Sequence, residues 1–131
     1  MNSGTASRGP GKIGSASKVG ARCHLETARV GTAAYLVLIG ELDLSCIKRF
    51  RESLAKVVAE DTDHLVIDLR SVTFIDSTGL ALLLKADATA REEGFHLHVV
   101  RSPTEIVKAV FEASGLNTVL PFCDEPPPLL R

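Results

Sequence analysis

Residues 66–80 read VIDLRSVTFIDSTGL, and the period of the apolar residues changes within this stretch. It opens as a short β-branched run, typical of a strand that is buried on both faces. An acid, two hydroxyls and a glycine interrupt the run, and the residues after Ser77 are rich in Ala and Leu as far as Gly94. Glycine is common just past a helix end. The stretch therefore predicts a buried strand at 64–69 and then a helix capped by Ser77.

The flanking sequence alternates in the same way. Apolar residues at helical spacing begin at Leu44, and SPTEIVKAVFEASG (102–115) predicts another helix, with Ser102 as its cap and Gly115 at its end. Runs with strand character lie at 24–30, 35–41, 95–100 and 118–122. Strands joined through helices run parallel, whereas the first two form a hairpin. We expect an α/β fold with a mixed, mostly parallel sheet, an antiparallel edge hairpin and packed helices.

Composition divides the chain of 131 residues into one folded unit and two tails. Residues 1–21 are rich in Gly and Ser and poor in apolar side chains, so they are predicted to be a flexible tail. Residues 123–131 contain three consecutive prolines, which favour an extended chain. The folded domain is predicted to span residues 22–122.

Charge and hydropathy narrow the classes of partner. The formal net charge is −1, so no basic surface favours direct contact with nucleic acid. The longest apolar runs are far shorter than a membrane span, and residues 1–20 lack the apolar block of a signal peptide. The three cysteines show no CxxC spacing, which favours reduced thiols in a cytoplasm. We expect a cytoplasmic protein that binds another protein or a small ligand.

Enzymatic readings of the central stretch are weak. Ile75 occupies the position of the first glycine in the G-x-S-x-G turn of serine hydrolases, and the four histidines fall in or beside predicted strands. Asp68 lacks the neighbouring acidic pair of a phosphorylated receiver domain, so it is expected to bond loop amides. No phosphate-binding glycine loop or metal-ligand cluster is visible. The sequence predicts no cofactor, no metal and no catalytic activity.

Three motifs, GELDLS (40–45), VIDLRSVTFIDSTGL (66–80) and SPTEIVKAVFEASGL (102–116), together resemble the STAS domain in its anti-sigma factor antagonist form. The resemblance implies a bacterial partner-switching protein. Its unmodified form binds an anti-sigma factor that is also a serine kinase, and this binding releases the sigma factor. Phosphorylation of Ser77 ends binding, and a PP2C-type phosphatase reverses the modification. The implied contact residues are Asp43, Asp76, Ser77, Thr78, Gly79 and Leu80.

Two alternatives remain open beside this interpretation. A STAS subunit of a lipid-transport or sensory assembly uses the same fold for docking and does not require a phosphorylatable serine.

Cys46 and Ile47 also depart from the Thr-Ala that this family commonly has at these two positions. Cys46 is expected to be partly exposed near a helix start, where a lowered thiol pKa favours oxidation. It is more simply a replacement for a small hydroxyl residue, and a disulfide from Cys123 to Cys46 or Cys23 stays open.

Overall fold

The computed structural model describes residues 22–128. The predicted tail at 1–21 therefore lies outside the described residues. Strands and helices alternate as the hydrophobic periods predict. Their bounds are β1 Cys23–Val30, β2 Ala33–Leu42, α1 Ile47–Ala59, β3 His64–Ile75, α2 Ser77–Glu93, β4 His96–Val100, α3 Glu105–Ser114 and β5 Phe122–Cys123, with 3-10 turns at Leu44–Cys46 and Leu116–Thr118.

The strands form one mixed sheet in the order β1-β2-β3-β4-β5. β1 runs antiparallel to β2 through a turn at Gly31, where φ is +59°. The pairs β2–β3, β3–β4 and β4–β5 are all parallel. The predicted sheet, mostly parallel with an antiparallel hairpin at one edge, is confirmed.

One hydrophobic core joins the sheet to all three helices. Alternate side chains of the central strands, among them Leu36, Leu65 and Ile67, are fully buried. Their helical partners in the core are Phe50, Leu54 and Val57 from α1, Leu82, Leu83, Ala86 and Ala90 from α2, and Val107 and Phe111 from α3. Close packing of these side chains holds each helix against the sheet and so positions the loops at the strand ends.

Strand β3 is longer than predicted. It continues from the predicted end at 69 through Ile75, because parallel pairing with β2 extends as far as Leu42 opposite Ile75. Two irregularities in the register, after Val37 and after Gly40, accompany this extension. The consequence is that β2 and β3 end side by side.

The C-terminal prediction also differs from the structure. Residues 116–118 form a 3-10 turn, and the last strand is Phe122–Cys123, where a strand was expected at 118–122. The amide of Arg101 donates to the carbonyl of Cys123 at 2.9 Å, so Cys123 belongs to the sheet and not to a proline-rich tail. Arg101 also pairs with Asp124 at 2.8 Å, which holds the chain beyond the predicted domain boundary.

The start of α3 is the third difference. Thr104, and not Ser102, occupies the cap position of α3. Ser102 is buried, and its hydroxyl donates to the carbonyl of Val72 in β3 at 2.7 Å while accepting from the Thr104 amide at 3.1 Å. The serine therefore ties the segment before α3 to the central strand.

Candidate functional site

Two aspartates meet where β2 and β3 end together. Asp43 follows Leu42, the last residue of β2, and Asp76 follows Ile75, the last residue of β3. The amide of Asp76 donates to the carbonyl of Leu42 at 3.4 Å, which links the two chain segments directly. Each aspartate begins a helical turn, so the site consists of two adjacent helix starts.

Asp43 is buried and holds the first of these turns. Its Oδ1 accepts from the amide of Ser45 at 3.0 Å and from the Ser45 hydroxyl at 2.7 Å. Its Oδ2 lies 2.7 Å from Nη2 of Arg22, an ion pair whose angles fall short of a hydrogen bond. Burial opposes ionisation, but the bonds from Ser45 and the charge of Arg22 prevail and lower the pKa of Asp43. Asp43 thus fixes this loop as a carboxylate.

Asp76 caps α2, which corrects the prediction that Ser77 does so. The Asp76 Oδ1 accepts from the amide of Gly79 at 3.1 Å. Aspartate is as good a cap as serine, and here it comes one residue earlier. Ser77 is therefore the first residue of α2, and its side chain is exposed. Its hydroxyl is accessible at a helix start, where the backbone dipole favours a negative charge.

Gly79 allows α2 to approach the loop after β2. A Cβ at this position would lie 2.4 Å from the carbonyl oxygen of Leu42 and 2.7 Å from Cγ1 of Ile75. No other residue fits without moving the backbone. Leu80 is half-buried against the core and its amide bonds to the carbonyl of Asp76 at 3.0 Å. Gly79 and Leu80 therefore position the site, whereas Ser77 faces outward.

An open groove of about 1010 Å³ extends from the site between α1 and α2. Ser77 and Thr78 line it together with apolar side chains that include Ile47 and Val58 and with the cationic residues Arg51 and Lys85. The acidic Glu92 and Glu93 also line it, so apolar side chains and charges of both signs are present. The exposed serine therefore lies at an open groove with a mixed apolar and charged lining.

Three residues of this region were missed by sequence reasoning. Leu44, in the turn after Asp43, is 70% exposed, and Phe74, near the end of β3, is 40% exposed. Exposed apolar side chains beside a polar site are candidates for partner contact. Arg22 was assigned only to a domain boundary, yet it pairs with Asp43. The GELDLS motif offered no signal for Leu44, because Leu42 also lies between two polar residues and is fully buried.

The cysteines differ from their predicted state. Cys46 was expected to be a partly exposed thiol, but it is 1% exposed and forms a disulfide with Cys23. Cys123 is a free thiol within the described part of the chain, so the open alternatives for its pairing are not realised. The Cα atoms of Cys23 and Cys46 are 5.7 Å apart, an ordinary separation for a disulfide. The expectation of reduced thiols is wrong for this pair.

Asp68 accepts from a backbone amide, as expected, but this amide lies within β3 and not in a loop. Its Oδ1 accepts from the amide of Arg70 at 3.0 Å, and its carboxylate receives the Arg70 guanidinium at 2.8 Å. Burial raises the pKa of Asp68, but these bonds outweigh it and the pKa is lowered. Across residues 22–128 no cluster of three or more His, Cys, Asp or Glu has the geometry to hold a metal ion.

The family model described as Mlab, STAS domain matches residues 25–121. The chain belongs to the STAS domain family. Anti-sigma-F factor antagonist RsfB of Mycobacterium tuberculosis is 42% identical over 50 residues, which cover 38% of this chain and 41% of RsfB. The STAS chain described here thus spans about two fifths of the length of the curated relatives it matches.

Solved structures share the STAS fold. The anti-sigma factor antagonist SpoIIAA in its unphosphorylated form aligns with a TM-score of 0.66 at 20% identity, covering 78% of this chain and 90% of SpoIIAA. An anti-sigma factor antagonist from Mycobacterium paratuberculosis aligns with a TM-score of 0.66 at 22% identity, covering 84% and 92%. At such identities the likeness establishes the fold. None of the helices in residues 22–128 is both long and apolar enough to cross a bilayer.

Proposed function

We propose that this protein is an anti-sigma factor antagonist, a binding protein and not an enzyme, whose binding is switched off by phosphorylation of Ser77. The observation that carries the proposal is the exposure of the Ser77 hydroxyl at the first position of α2, beside the Asp43 loop and at the end of the α1–α2 groove. The similarity to RsfB, an anti-sigma-F factor antagonist, supports it. Of the residues assigned to the partner surface, Asp76, Ser77 and Thr78 are proposed to make contact, whereas buried Asp43 and Gly79, together with Leu80, position them.

The local chemistry explains why phosphate at Ser77 acts on binding and leaves the fold unchanged. A phosphoserine adds about 1.5 to 2 negative charges at neutral pH. At an exposed helix start that charge is favoured by the dipole, so the free protein tolerates it. In a complex the phosphate is desolvated against the partner. An uncompensated buried charge costs about 3 to 5 kcal/mol, and each ~1.4 kcal/mol is tenfold in affinity.

The partners follow from this switch. The binding partner is an anti-sigma factor that phosphorylates Ser77, and a PP2C-type phosphatase restores the unmodified serine. The protein works in the cytoplasm, where both enzymes and the sigma factor meet. Leu44 and Phe74 add apolar contact area beside the polar site.

The test is calorimetric titration of the protein with an anti-sigma factor kinase purified from the same bacterium. Ser77→Ala should bind like the unmodified protein and take up no phosphate, whereas phosphorylated protein should bind at least about a hundredfold more weakly. Thr78→Ala, one residue away, is the matched control and should still accept phosphate. Equal affinity of the phosphorylated and unmodified forms would overturn the proposal.

A second candidate is docking in a lipid-transport or sensory assembly without phosphorylation, for which the open groove between α1 and α2 would serve equally well. The same titration separates the two. Docking alone predicts that Ser77→Ala and Ser77→Asp bind the partner equally and that no kinase activity toward Ser77 accompanies the complex.

A further inference from the structure

The Cys23–Cys46 disulfide joins the first residue of the edge strand to the loop that carries Asp43. Cys23 begins β1, opposite Gly40 of β2. Cys46 ends the 3-10 turn that Asp43 caps, and α1 starts at the next residue. The covalent bond therefore links the edge of the sheet to the segment between Asp43 and α1.

The residue before Cys23 reinforces the same connection. The carbonyl of Arg22 accepts from the Glu41 amide at 3.0 Å, and its guanidinium lies 3.4 Å from Glu41 Oε1 and 2.7 Å from Asp43 Oδ2. The Arg22 side chain is 61% exposed, so these ion pairs alone hold the loop weakly. The disulfide is the strong part of the connection.

We propose that Cys23 and Cys46 form a reversible thiol–disulfide site, which reacts with small thiols and disulfides and controls the order of the Asp43 loop and hence partner binding. The proposal rests on the proposed function, because it assigns the loop to the partner surface. The oxidised form presents an ordered loop, and reduction lets residues 41–46 move.

The exchange proceeds in two steps. Both cysteines are buried, Cys23 at 7% and Cys46 at 1% exposure, so exchange begins when the end of the edge strand at Cys23 opens locally. A small thiolate then attacks Cys23 Sγ and releases the Cys46 thiolate. A second small thiolate then attacks the sulfur of the first, so that a small disulfide forms and Cys23 leaves as a thiolate. One protein disulfide and two small thiols become two protein thiols and one small disulfide, and a small disulfide drives the reverse reaction.

The loop is examined first, without any partner. Amide hydrogen exchange of the full chain is compared with and without a phosphine reductant, with thiol state checked by maleimide labelling and mass spectrometry. Reduction should speed exchange of Ser45 and Cys46, whose amides bond to Asp43, and leave Leu65 and Ile67 in β3 unchanged. Equal exchange of Ser45 and Cys46 in both states overturns the proposal. Resistance of the disulfide to millimolar thiol under native conditions overturns it as well.

Binding to the anti-sigma factor kinase is measured second. Reduced protein should bind about tenfold more weakly than oxidised protein, because the partner must order the loop. Cys123→Ser is the matched control and should keep this difference, whereas Cys23→Ala should bind like reduced protein with or without oxidant. Should Cys23→Ala not fold, reduced wild-type protein supplies the same comparison. If reduction speeds exchange of the loop amides but neither the oxidised nor the reduced protein binds the kinase, the proposed function is contradicted. If both proteins bind equally, only the redox control is overturned.

Discussion

A Cβ placed on Gly79 would lie 2.4 Å from the carbonyl oxygen of Leu42, so the first turn of α2 and the loop after β2 are in contact through backbone. This contact joins the two halves of the proposed partner surface. Any shift of α2 along its axis moves Ser77 relative to Asp43, and any shift of the loop does the same.

Gly79→Ala should therefore destabilise the protein and weaken partner binding together. The added methyl group forces a backbone shift, which costs about 1 to 3 kcal/mol in free energy of unfolding. Chemical denaturation gives the stability and calorimetry the affinity. The control is Gly94→Ala, which adds strain at φ +83° but meets no atom within 4 Å in the described part of the chain. Unchanged binding by Gly79→Ala would contradict the contact.

Phosphorylation of Ser77 should leave the sheet intact. Phosphate at an exposed helix start is favoured by about 0.3 to 1 kcal/mol, so no rearrangement is needed to accommodate it. Amide NMR shifts should cluster at residues 43–46 and 75–82. Shifts of similar size along the buried part of β3, at 65–69, would show that the modification acts through the fold.

Asp43 should contribute stability that depends on pH. Its pKa is lowered in the folded protein, so the folded state binds its proton less readily than the unfolded chain. The stabilisation is fully present above the ordinary value of 3.8 and is lost as pH falls through the lower folded pKa. Denaturation from pH 7 to pH 2 measures it. Asp43→Asn should be less stable at pH 7, and its difference from wild type should shrink at low pH.

The histidines on β3 and β4 predict a second pH dependence. Nδ1 of His64 lies 3.1 Å from Nε2 of His98, and the ring of His64 also stacks on His96. Burial, and then the charges of His64 and His96, lower the pKa of His98. Neutral His98 is favoured in the folded state, so stability should fall as pH drops below the ordinary value of 6.5.

Thermal unfolding between pH 8 and pH 5 tests the histidine contacts. His98→Gln should flatten the decline. The same substitution at exposed His24, on edge strand β1, which pairs with neither β3 nor β4, is the matched control. A slope that His98→Gln does not alter would assign the decline to other groups.

Reduction of the Cys23–Cys46 disulfide should lower stability as well as loosen the loop. The bond closes a segment with a sequence separation of 23 residues. Constraining a loop of that size in the unfolded chain is worth about 3 kcal/mol. Guanidinium denaturation with and without reductant measures the difference, and Cys23→Ala should show no further loss on reduction. Equal stability of the wild type in both states would mean that strain in the folded state offsets the constraint.

Hydrophobic period predicted the order of the strands and helices, whereas the role assigned to Ser77 came from the resemblance to the STAS domain. Periodicity missed the continuation of β3 through Ser71 and Thr73 to Ile75, because polar residues interrupt the apolar run there. Periodicity also could not distinguish Asp76 from Ser77 as the cap of α2, because both residue types are good caps. The choice depends on where β3 ends. Ser102 matched the sequence pattern of a helix cap. Its hydroxyl instead donates to the carbonyl of Val72 in β3, and α3 begins after Thr104.

The disulfide could not be predicted from cysteine spacing. Cys23 and Cys46 are brought together by the hairpin register, which places Cys23 opposite Gly40, and by the turn after Asp43. Neither can be read from a separation along the chain. Likewise, the groove beside Ser77 depends on how α1 and α2 pack on one core, which periodicity alone does not give.

The short strand β5 determines how much of the outer edge of β4 is open to pairing with another chain. It covers only Val99 and Val100 on the outer edge of β4. Among the described residues, no strand pairs with that edge from His96 to His98. An unpaired parallel edge is a template onto which another chain adds as a strand. A chain that ended before Phe122 would leave this edge unpaired at Val99 and Val100 as well, so β5 shortens the stretch of open edge that another chain could join.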